Sequence, residues 1–535
     1  MSHPFDPETT DSHAQGRAGW SSRVSVIIVI SCLAWTLMQK VAYPSLDSHH
    51  DMLENFAWSQ LAVWGTHKHP PFFSWVVGLW FSLVPHQAVL YKLLAYVNVA
   101  VGLWGVWRLA EALKLPALAR PAVILLMWSL PYTTLAAKFN ANSQLLSLWP
   151  WTAVFLLRSW DSKGWRTALN TFLLGFLAAA SLLSKYYSGI FLLGLLAASL
   201  ADPRGRDWLQ GPWSFVSVVV FVLLLSPHLH WVIQHEWVTF KYMQEQGAGS
   251  VDLKGLFSFS LSPLFYWLPA WLTTVGMGAW TLRRAQPRRG AWAVTWRWAW
   301  QSWQAQGWSD VLFWLAFFPW AATLLAGASG FVDLSTAWAI PIGYAFPLLW
   351  LRNYQLQALA AHAGSPWGAL TRYVYPMLLL MMGLAVMVAL HHAENEEAHY
   401  YRPDRNVANN ILVDWQARHP QERLQWVGGE WAQSALLSFY GDPGIVVIPD
   451  LPESPYTEHY PVGDLRGKAG LIFCSLGPVA KISTDHPRTC EAKTKLWLQD
   501  RQLPIEPLTF HVQRKGWRFP KSVPFEFVVF HVMPH

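Results

Sequence analysis

The fold is decided by residues 24–54, which read VSVIIVISCLAWTLMQKVAYPSLDSHHDMLE. The run 24–42 is almost wholly apolar and about as long as a bilayer crossing requires, which is roughly 20 residues. A polar island follows at 45–54, and a second polar group, His67-Lys-His69, comes soon after it. Charges beside a bilayer are costly unless they are solvated or functional. We therefore expect a membrane protein whose functional residues lie just after the first membrane span.

The composition agrees with a membrane protein of many spans. Of the 535 residues, 53% are hydrophobic and only 13% are charged, whereas ordinary soluble domains are about 25% charged. The 36 tryptophans suit two interfacial belts. The sequence predicts a polytopic α-helical membrane protein with about 11–13 transmembrane helices. Candidate spans lie near 24–42, 89–110, 120–137, 143–158, 167–183, 188–201, 213–233, 260–282, 309–328, 335–351 and 373–391.

The basic residues between these spans predict the topology. With Arg23 in the cytoplasm, the loops on the same side hold most of the arginines, including the cluster at 283–289. The positive-inside rule then places the N-terminus in the cytoplasm, and the polar island and everything after His391 on the non-cytoplasmic side, which is the periplasmic side if the membrane is a bacterial inner membrane. The chain has a net charge of +7, and its positive excess lies in short loops between the apolar spans. We therefore expect the lipid bilayer as a partner and no nucleic acid.

The tail after residue 391 has a different pattern. Short runs at 424–428, 444–449, 470–475 and 525–532 predict strands, and 431–440 predicts a helix. We therefore predict two domains: residues 1–391, with a first periplasmic loop at about 43–88, and residues 392–535 as a small periplasmic α/β or α+β domain. Cys474 and Cys490 both lie in this tail, where an oxidising compartment would allow a disulfide. The tail has no glycine-rich phosphate loop, which favours a folded cap.

The predicted periplasmic loops bring together carboxylates, lysines and histidines. A carboxylate can take a proton from a hydroxyl or amine acceptor. Lysines and histidines can hold a phosphate leaving group and neutralise its developing charge. A phosphate carried by a lipid is the natural substrate for such a cluster of polar side chains at the membrane surface. The candidate side chains are those of Asp51, Glu54, His67, Lys68 and His69 in the first loop, and Lys138, Asn140, Asn142, Lys185, Tyr186, His228 and His235 further along.

A metal site is the competing interpretation of the first loop. His49, His50, Asp51 and Glu54 are suitable ligand types, and a helix would place His50 and Glu54 on one face. Their spacing does not match a metal motif such as His-Glu-x-x-His. We therefore expect no metal ligands and assign no cofactor; a divalent metal has no support in the spacing.

Three motifs follow one another after the first span: Asp51, Trp58-Ser-Gln60 and His69-Pro-Pro71. Similar later stretches are LLSKY at 182–186, residues 226–240 and WAIP at 338–341. Together they resemble the GT-C superfamily of membrane glycosyltransferases, specifically bacterial glycosyltransferase family 39. Protein O-mannosyltransferases and lipid A aminoarabinose transferases are relatives in that family. The resemblance covers about 24–391.

The resemblance implies a glycosyltransferase that moves a hexose or pentose from a polyprenyl-phosphate donor to an acceptor. It places Asp51 as the general base, and Glu54 is the candidate for a second catalytic carboxylate because Met52 stands where many members have Glu. Met52 and Asn142 depart from the family pattern, since many members have an acid at each place. The implied phosphate-binding residues are Lys68, His69, Lys185 and Tyr186, and the further substrate-binding residues are His50, Asn142 and His235.

Two other functional classes stay open at this point. A transporter or flippase would use the polar mouth as a vestibule, but such proteins bury ionisable groups near the middle of the membrane and often show repeated halves. A membrane sensor would bind its ligand through the tail. The sequence does not name the sugar, and the acceptor is a glycolipid, another glycan, a lipid carrier or a protein.

Overall fold

Helices dominate the architecture of this chain. A computed structural model describes residues 8–46, 51–61, 63–245, 251–287, 290–394, 402–429, 431–448, 451, 465, 467–476, 489–513 and 525–534. The helices are α1 Glu8–Ala42, α2 Asp51–Leu61, α3 Phe72–Leu83, α4 Ala88–Ala112, α5 Pro116–Leu126, α6 Ala141–Asp161, α7 Trp165–Ser184, α8 Ser188–Ala201, α9 Pro203–Gln210, α10 Pro212–Gln234, α11 Val238–Glu245, α12 Leu253–Ala285, α13 Ala291–Gln301, α14 Val311–Ala328, α15 Phe346–Ala360, α16 Leu370–Glu394, α17 Asp404–Arg418, α18 Trp431–Tyr440 and α19 Thr489–Asp500.

The apolar helices confirm a multi-pass helical membrane protein. Within the described ranges, 6 stretches are long and apolar enough to cross a membrane. They lie in α1, α4, α7, α10 and α14, and at Trp367–His391, which contains most of α16. Helices α3, α5 and α8 are apolar but shorter. The predicted helical class is therefore right, while the membrane helices are less uniform than about 11–13 full-length spans.

Two of the predicted spans are interrupted. The span predicted at 120–137 ends as a helix at Leu126 and continues as two short 3-10 turns, Leu130–Tyr132 and Leu135–Ala137. The span predicted at 335–351 likewise begins with the 3-10 turns Thr336–Ala339 and Ile342–Ala345 before α15 starts. A proline lies in or beside each break, at 131 and 341. Proline lacks the amide hydrogen that an α-helix needs, so the apolar runs cross these points in tighter turns.

Neighbouring helices in the first half of the chain pack side by side, α1 on α4, α4 on α6, α6 on α7 and α7 on α10. Gly102 allows α4 and α6 to approach closely, because a Cβ atom there would lie 2.3 Å from the carbonyl oxygen of Leu146. The amide of Asn98 donates to the Ser143 carbonyl oxygen at 2.7 Å in the same interface. This packing fixes the start of α6 and the loop that precedes it.

The tail forms a mixed sheet flanked by helices. Its strands are β1 Trp426–Gly429, β2 Val446–Val447, β3 Gly470–Ser475, β4 Pro507–Val512 and β5 Phe525–Val532, in the order β2-β1-β3-β5-β4. Strand β1 is parallel to β2 and β3, and β5 is antiparallel to β3 and β4. The predicted strands and the helix at 431–440 are confirmed; α17, α19 and β4 were not predicted. The sequence left the pairing of Cys474 and Cys490 open, and the structure has a disulfide between them.

The sheet unit shares a hydrophobic core with the first loop. Phe439 of α18 contacts Phe56 of α2 with ring centroids 5.0 Å apart, and Phe81 of α3 at 5.4 Å. Met52 and Leu53 of α2 belong to the same buried cluster. Because α2 is only 11 residues long, it depends on such packing to be stable. The sheet unit is therefore a support for α2 and not only a cap.

We expect Phe439→Ala to destabilise this junction. Phe439 is 0% exposed, and removing a buried phenyl ring typically costs about 3–5 kcal/mol. Thermal unfolding of the purified protein should therefore begin several degrees lower. Leu496→Ala is the matched control, because Leu496 is 59% exposed in the same unit and should leave the melting curve in place. Equal melting curves for Phe439→Ala and wild type would contradict the shared core.

Candidate active site

The first turn of helix α2, just after the membrane helix α1, carries two carboxylates. Asp51 is its first residue and Glu54 follows within the same first turn. Residues three apart lie on neighbouring parts of one helix face. The positive end of the helix dipole also favours carboxylates in this turn. The sequence thus presents both groups toward the loops that follow.

Asp51 contacts the loop before α6. Its Oδ2 atom lies 2.7 Å from the Lys138 ammonium and accepts a hydrogen bond of 3.1 Å from the Asn140 amide. Burial acts to raise the pKa of Asp51, but the charges of Lys138 and Lys68 outweigh it and hold that pKa well below its usual range. Asp51 is therefore ionised at neutral pH.

Glu54 is paired with Lys68. The Lys68 ammonium donates to both carboxylate oxygens of Glu54, at 2.9 and 3.3 Å. Glu54 is 6% exposed, so the pair is largely withdrawn from water. Burial would lower the pKa of Lys68, but the carboxylates of Glu54 and Asp51 raise it above its ordinary value. Lys68 is consequently a permanent cation beside Asp51.

Lys185 approaches the same region from the end of α7. Its ammonium donates to the Asn142 side-chain oxygen at 2.6 Å and lies 5.0 Å from the centroid of the Trp338 ring. Burial lowers the pKa of Lys185 to about 7, since Asp51 only partly offsets the loss of solvent and Lys68 adds repulsion. Lys185 therefore titrates near neutral pH, and Asn142 accepts its hydrogen bond without adding a negative charge.

His69 lies in a turn closed by Thr66. The Thr66 hydroxyl accepts from the His69 amide at 3.0 Å, while its own proton goes to the His69 carbonyl oxygen. The imidazole packs edge-on against Trp58 and Phe73. Burial first, and then the charges of Lys68 and Lys185, lower the pKa of His69 well below its usual value. His69 is thus a neutral ring that shapes the site.

Tyr186 connects the site to α10. Its hydroxyl lies 2.7 Å from Nε2 of His228, whose Nδ1 lies 2.6 Å from the Trp64 carbonyl oxygen. Gly65 permits this approach, because a Cβ atom there would lie 2.3 Å from the Trp231 ring. These contacts hold the first loop against α10, and they include Tyr186, which follows Lys185 in the sequence.

The structure therefore brings together most of the predicted residues. Asp51, Lys68, His69 and Lys185 are close enough for their charges to affect one another. His235 ends α10 and stacks on Trp231 with centroids 4.2 Å apart. Its described contacts belong to that helix end. His50, like His49 of the metal interpretation, lies outside the described residues.

Two residues of the polar loop before α6 were named in the sequence interpretation only as members of the polar cluster, and neither was placed next to Asp51. Lys138 and Asn140 are direct partners of Asp51. The sequence signal for them is the short segment 138–140, whose polar residues immediately precede a long apolar helix. Asn140 also caps α6 by accepting from the backbone amides of Asn142 and Ser143, so its side chain has a structural use as well.

The described residues offer no obvious metal centre. Within those ranges, no three His, Cys, Asp or Glu side chains gather as a metal site would need. The carboxylates are instead engaged by lysines, at Asp51–Lys138 and Glu54–Lys68. What this arrangement can do chemically is hold one ionised carboxylate beside three amines, a combination suited to proton removal next to a bound phosphate.

Comparison with known proteins gives a family match over part of the chain and two similar folds. Residues 68–231 match the family model described as dolichyl-phosphate-mannose-protein mannosyltransferase. No curated protein matches the chain in sequence. Among solved structures, ArnT from Cupriavidus metallidurans bound to undecaprenyl phosphate is similar, with a TM-score of 0.57 and 13% identity, over 95% of this chain and 98% of that one. The same protein in the apo state gives a TM-score of 0.55 at 13% identity, over 96% and 98% of the two chains.

These matches establish the fold. The chain has an ArnT-like fold over nearly its whole length, with a small C-terminal sheet domain. The predicted resemblance to the GT-C superfamily is confirmed. The family match begins at Lys68 and ends at Trp231, so it includes most of the residues that surround Asp51.

Proposed function

We propose that this chain is a membrane glycosyltransferase that moves a sugar from a polyprenyl-phosphate-linked donor to an acceptor at the periplasmic face of a bacterial inner membrane. The observation that carries the proposal is the ionised carboxylate of Asp51 beside the amines of Lys68, Lys138 and Lys185. The similar ArnT structure is bound to undecaprenyl phosphate, which supports a lipid phosphate as the ligand.

The proposed reaction is a single displacement at the anomeric carbon. A lone pair of the acceptor hydroxyl or amine forms the new bond to that carbon, and the acceptor proton passes to Asp51. The bond between the anomeric carbon and the phosphate oxygen breaks, and its electron pair leaves with the polyprenyl phosphate. The configuration at the sugar carbon is inverted. Lys68 and Lys185 neutralise the charge that develops on the phosphate, and Glu54 acts by holding Lys68.

Donor binding would also strengthen the base. In the free protein the ion pairs of Asp51 hold its pKa low, which makes it a weak proton acceptor. A bound phosphate adds negative charge beside the carboxylate and competes for Lys138 and Lys185. Both effects favour the protonated form of Asp51 and raise its pKa toward the value that a general base requires. The carboxylate would then be most effective when the donor is in place.

The periplasmic orientation rests on two observations. The basic loops predict a cytoplasmic N-terminus and put Asp51 on the other side. The disulfide between Cys474 and Cys490 is typical of an oxidising compartment. Protease protection in sealed vesicles tests this orientation directly, with the sheet unit as the cleavable part.

We expect donor affinity to fall as the pH rises above about 7. The pKa of Lys185 is lowered to about 7, so its ammonium is present below that pH and is lost above it. A sugar phosphodiester does not titrate near neutral pH, so the change belongs to the protein. The donor KM should rise toward tenfold per pH unit between about pH 7 and 9. Lys185→Arg should flatten this rise, because guanidinium stays charged; an unchanged slope in Lys185→Arg would exclude Lys185 as the titrating group.

A reconstituted assay tests the proposed function. Purified protein in liposomes receives polyprenyl phosphates with different radiolabelled sugars, and extracted envelope glycolipids and glycoproteins serve as acceptors. We expect labelled product together with free polyprenyl phosphate. Movement of the intact donor across the bilayer without any transfer would instead establish a flippase. Mass analysis of the cell envelope with and without the gene identifies the natural sugar and acceptor.

A further inference from the structure

The hairpin of α12 and α13 has a basic surface that the proposed reaction does not use. From Leu253 to Ser309 the sequence contains no Asp or Glu. Its six cations are Lys254, Arg283, Arg284, Arg288, Arg289 and Arg297. Arg288 and Arg289 lie outside the described residues, but their charge has the same sign as that of the rest. The local charge of this segment therefore follows from the sequence alone, and it is strongly positive.

The hairpin lies at the end of a membrane helix. Helix α12 contains the predicted span 260–282 and packs against α14, one of the membrane-length helices. Arg283 and Arg284 lie in the last turn of α12. Helix α13 then runs back beside it, since the ring nitrogen of Trp298 would lie 2.6 Å from a Cβ atom at Gly278. Basic residues that directly follow a membrane helix lie near the lipid headgroups, so the hairpin is at the membrane surface.

Helix α13 exposes three tryptophans on one face. Trp292, Trp296 and Trp300 are spaced by four residues, which places them along one side of a helix. They are 82%, 72% and 70% exposed, respectively. The opposite side is buried through Val294 and Trp298, which attach α13 to the bundle. Large apolar side chains exposed together mark an interaction site, and tryptophan is a residue type that favours the membrane–water interface.

Two exposed arginines accompany these tryptophans. The Arg284 guanidinium lies 3.7 Å from the centroid of the Trp280 ring, and Arg297 is exposed on α13 itself. Neither arginine forms an ion pair with another described residue. Arg283 differs, because its Nε donates to the Ala291 carbonyl oxygen at 3.1 Å and so closes the hairpin. Arg284 and Arg297 are therefore the cations that an external anion reaches.

The helices packed against the hairpin add no negative charge. Helices α5, α14 and α15 contact α12, and none of the three contains an Asp or Glu. Tyr354 of α15 packs edge-on against Trp298. Asp310 follows the hairpin in the sequence, but Arg352 donates to its Oδ2 atom at 2.7 Å. The positive charge of the hairpin thus has no counterpart among these neighbours.

The ligand that fits this surface is an anionic lipid. Guanidinium groups bind phosphate through directed, charge-assisted hydrogen bonds, and basic segments at the ends of membrane helices attract anionic headgroups. A soluble anion has no use for three exposed indole rings, whereas a lipid offers them the boundary between its headgroups and acyl chains. We propose that five side chains form a binding surface for anionic phospholipid headgroups, the arginine–tryptophan surface: Arg284, Trp292, Trp296, Arg297 and Trp300.

The test measures lipid binding and requires no sugar transfer, so it is independent of the proposed function. The full chain in neutral detergent is titrated with dioctanoyl phosphatidylglycerol or dioctanoyl phosphatidylcholine, and bound lipid is counted by native mass spectrometry. We expect Arg284→Gln/Arg297→Gln to bind phosphatidylglycerol roughly 30-fold more weakly, the loss typical of two surface cations, with phosphatidylcholine binding unchanged. Trp292→Gln/Trp296→Gln should weaken the binding of both lipids, because it removes the apolar contact.

The matched control is Arg423→Gln/Arg501→Gln, which removes two exposed arginines from the sheet unit and lowers the net charge by the same amount. It should bind phosphatidylglycerol as wild type does. Equal affinity of the wild type for the two lipids, or an equal loss in the control, would overturn the proposal. Displacement of the lipid by equimolar inorganic phosphate would reveal a site for soluble anions, and a dimer that Trp292→Gln/Trp296→Gln dissociates would reveal a second copy on this face; either result also overturns it.

Discussion

Replacing Asp51 by Asn should lower kcat for sugar transfer by about 1,000-fold, within the range of 10²- to 10⁴-fold that a general base contributes. The amide keeps the size of the side chain and can still contact Lys138, but it cannot take a proton from the acceptor. The donor KM should change far less than kcat. Initial rates with saturating donor in reconstituted liposomes provide the measurement.

The control for this variant is Asp207→Asn, which removes an exposed carboxylate from α9 and should leave kcat unchanged. Membrane insertion and melting temperature are compared in parallel, so that misfolding is distinguished from loss of the base. Transfer by Asp51→Asn within threefold of wild type, with normal insertion, would remove Asp51 from the proposed mechanism.

Replacing Lys185 by Gln should raise the donor KM by roughly 10- to 100-fold, the range for losing a hydrogen bond to a charged group. Gln can still contact Asn142 but cannot neutralise a phosphate. A smaller fall in kcat is also expected, because charge develops on the leaving phosphate during the reaction. Donor titrations at pH 6.5, where the wild-type amine is charged, give the largest contrast.

Lys185→Arg separates charge from shape at this position. If the cation is what matters, Lys185→Arg should recover a large part of the donor affinity that Lys185→Gln loses. Lys241→Gln is the matched control, because Lys241 is a half-exposed lysine paired with Glu236 and outside the contacts of Asp51. A donor KM for Lys185→Gln equal to that of the control would show that Lys185 does not hold the phosphate.

Local sequence patterns predicted much of this structure because they act over a few residues. The helix at 431–440 and the strands at 470–475 and 525–532 have the predicted bounds. In each case the apolar periodicity and the bounding turn residues are complete within the segment. Asp51 was likewise proposed from its place in a motif, since Trp58-Ser-Gln60 and His69-Pro-Pro71 follow it in the sequence.

The interrupted spans were less predictable. Apolar composition is the same in an α-helix and in a succession of 3-10 turns, so hydropathy alone does not show where 120–137 stops being helical. The prolines at 131 and 341 were visible, but prolines at 150 and 227 lie inside continuous helices. Packing around each proline decides between a tolerated residue and a break.

The sequence by itself determined that this chain crosses the membrane repeatedly and that a polar cluster containing Asp51 follows the first span. These features depend on composition and on short spacings. Only the tertiary structure decided which charges meet. Asn140 donates a hydrogen bond to Asp51, which is 89 residues away in the sequence. Lys68 forms an ion pair with Glu54. The sheet unit packs against α2 through Phe439. Such partners are chosen by the packing of helices and loops distant in the chain, and that packing sets the pKa of each group through burial and neighbouring charge.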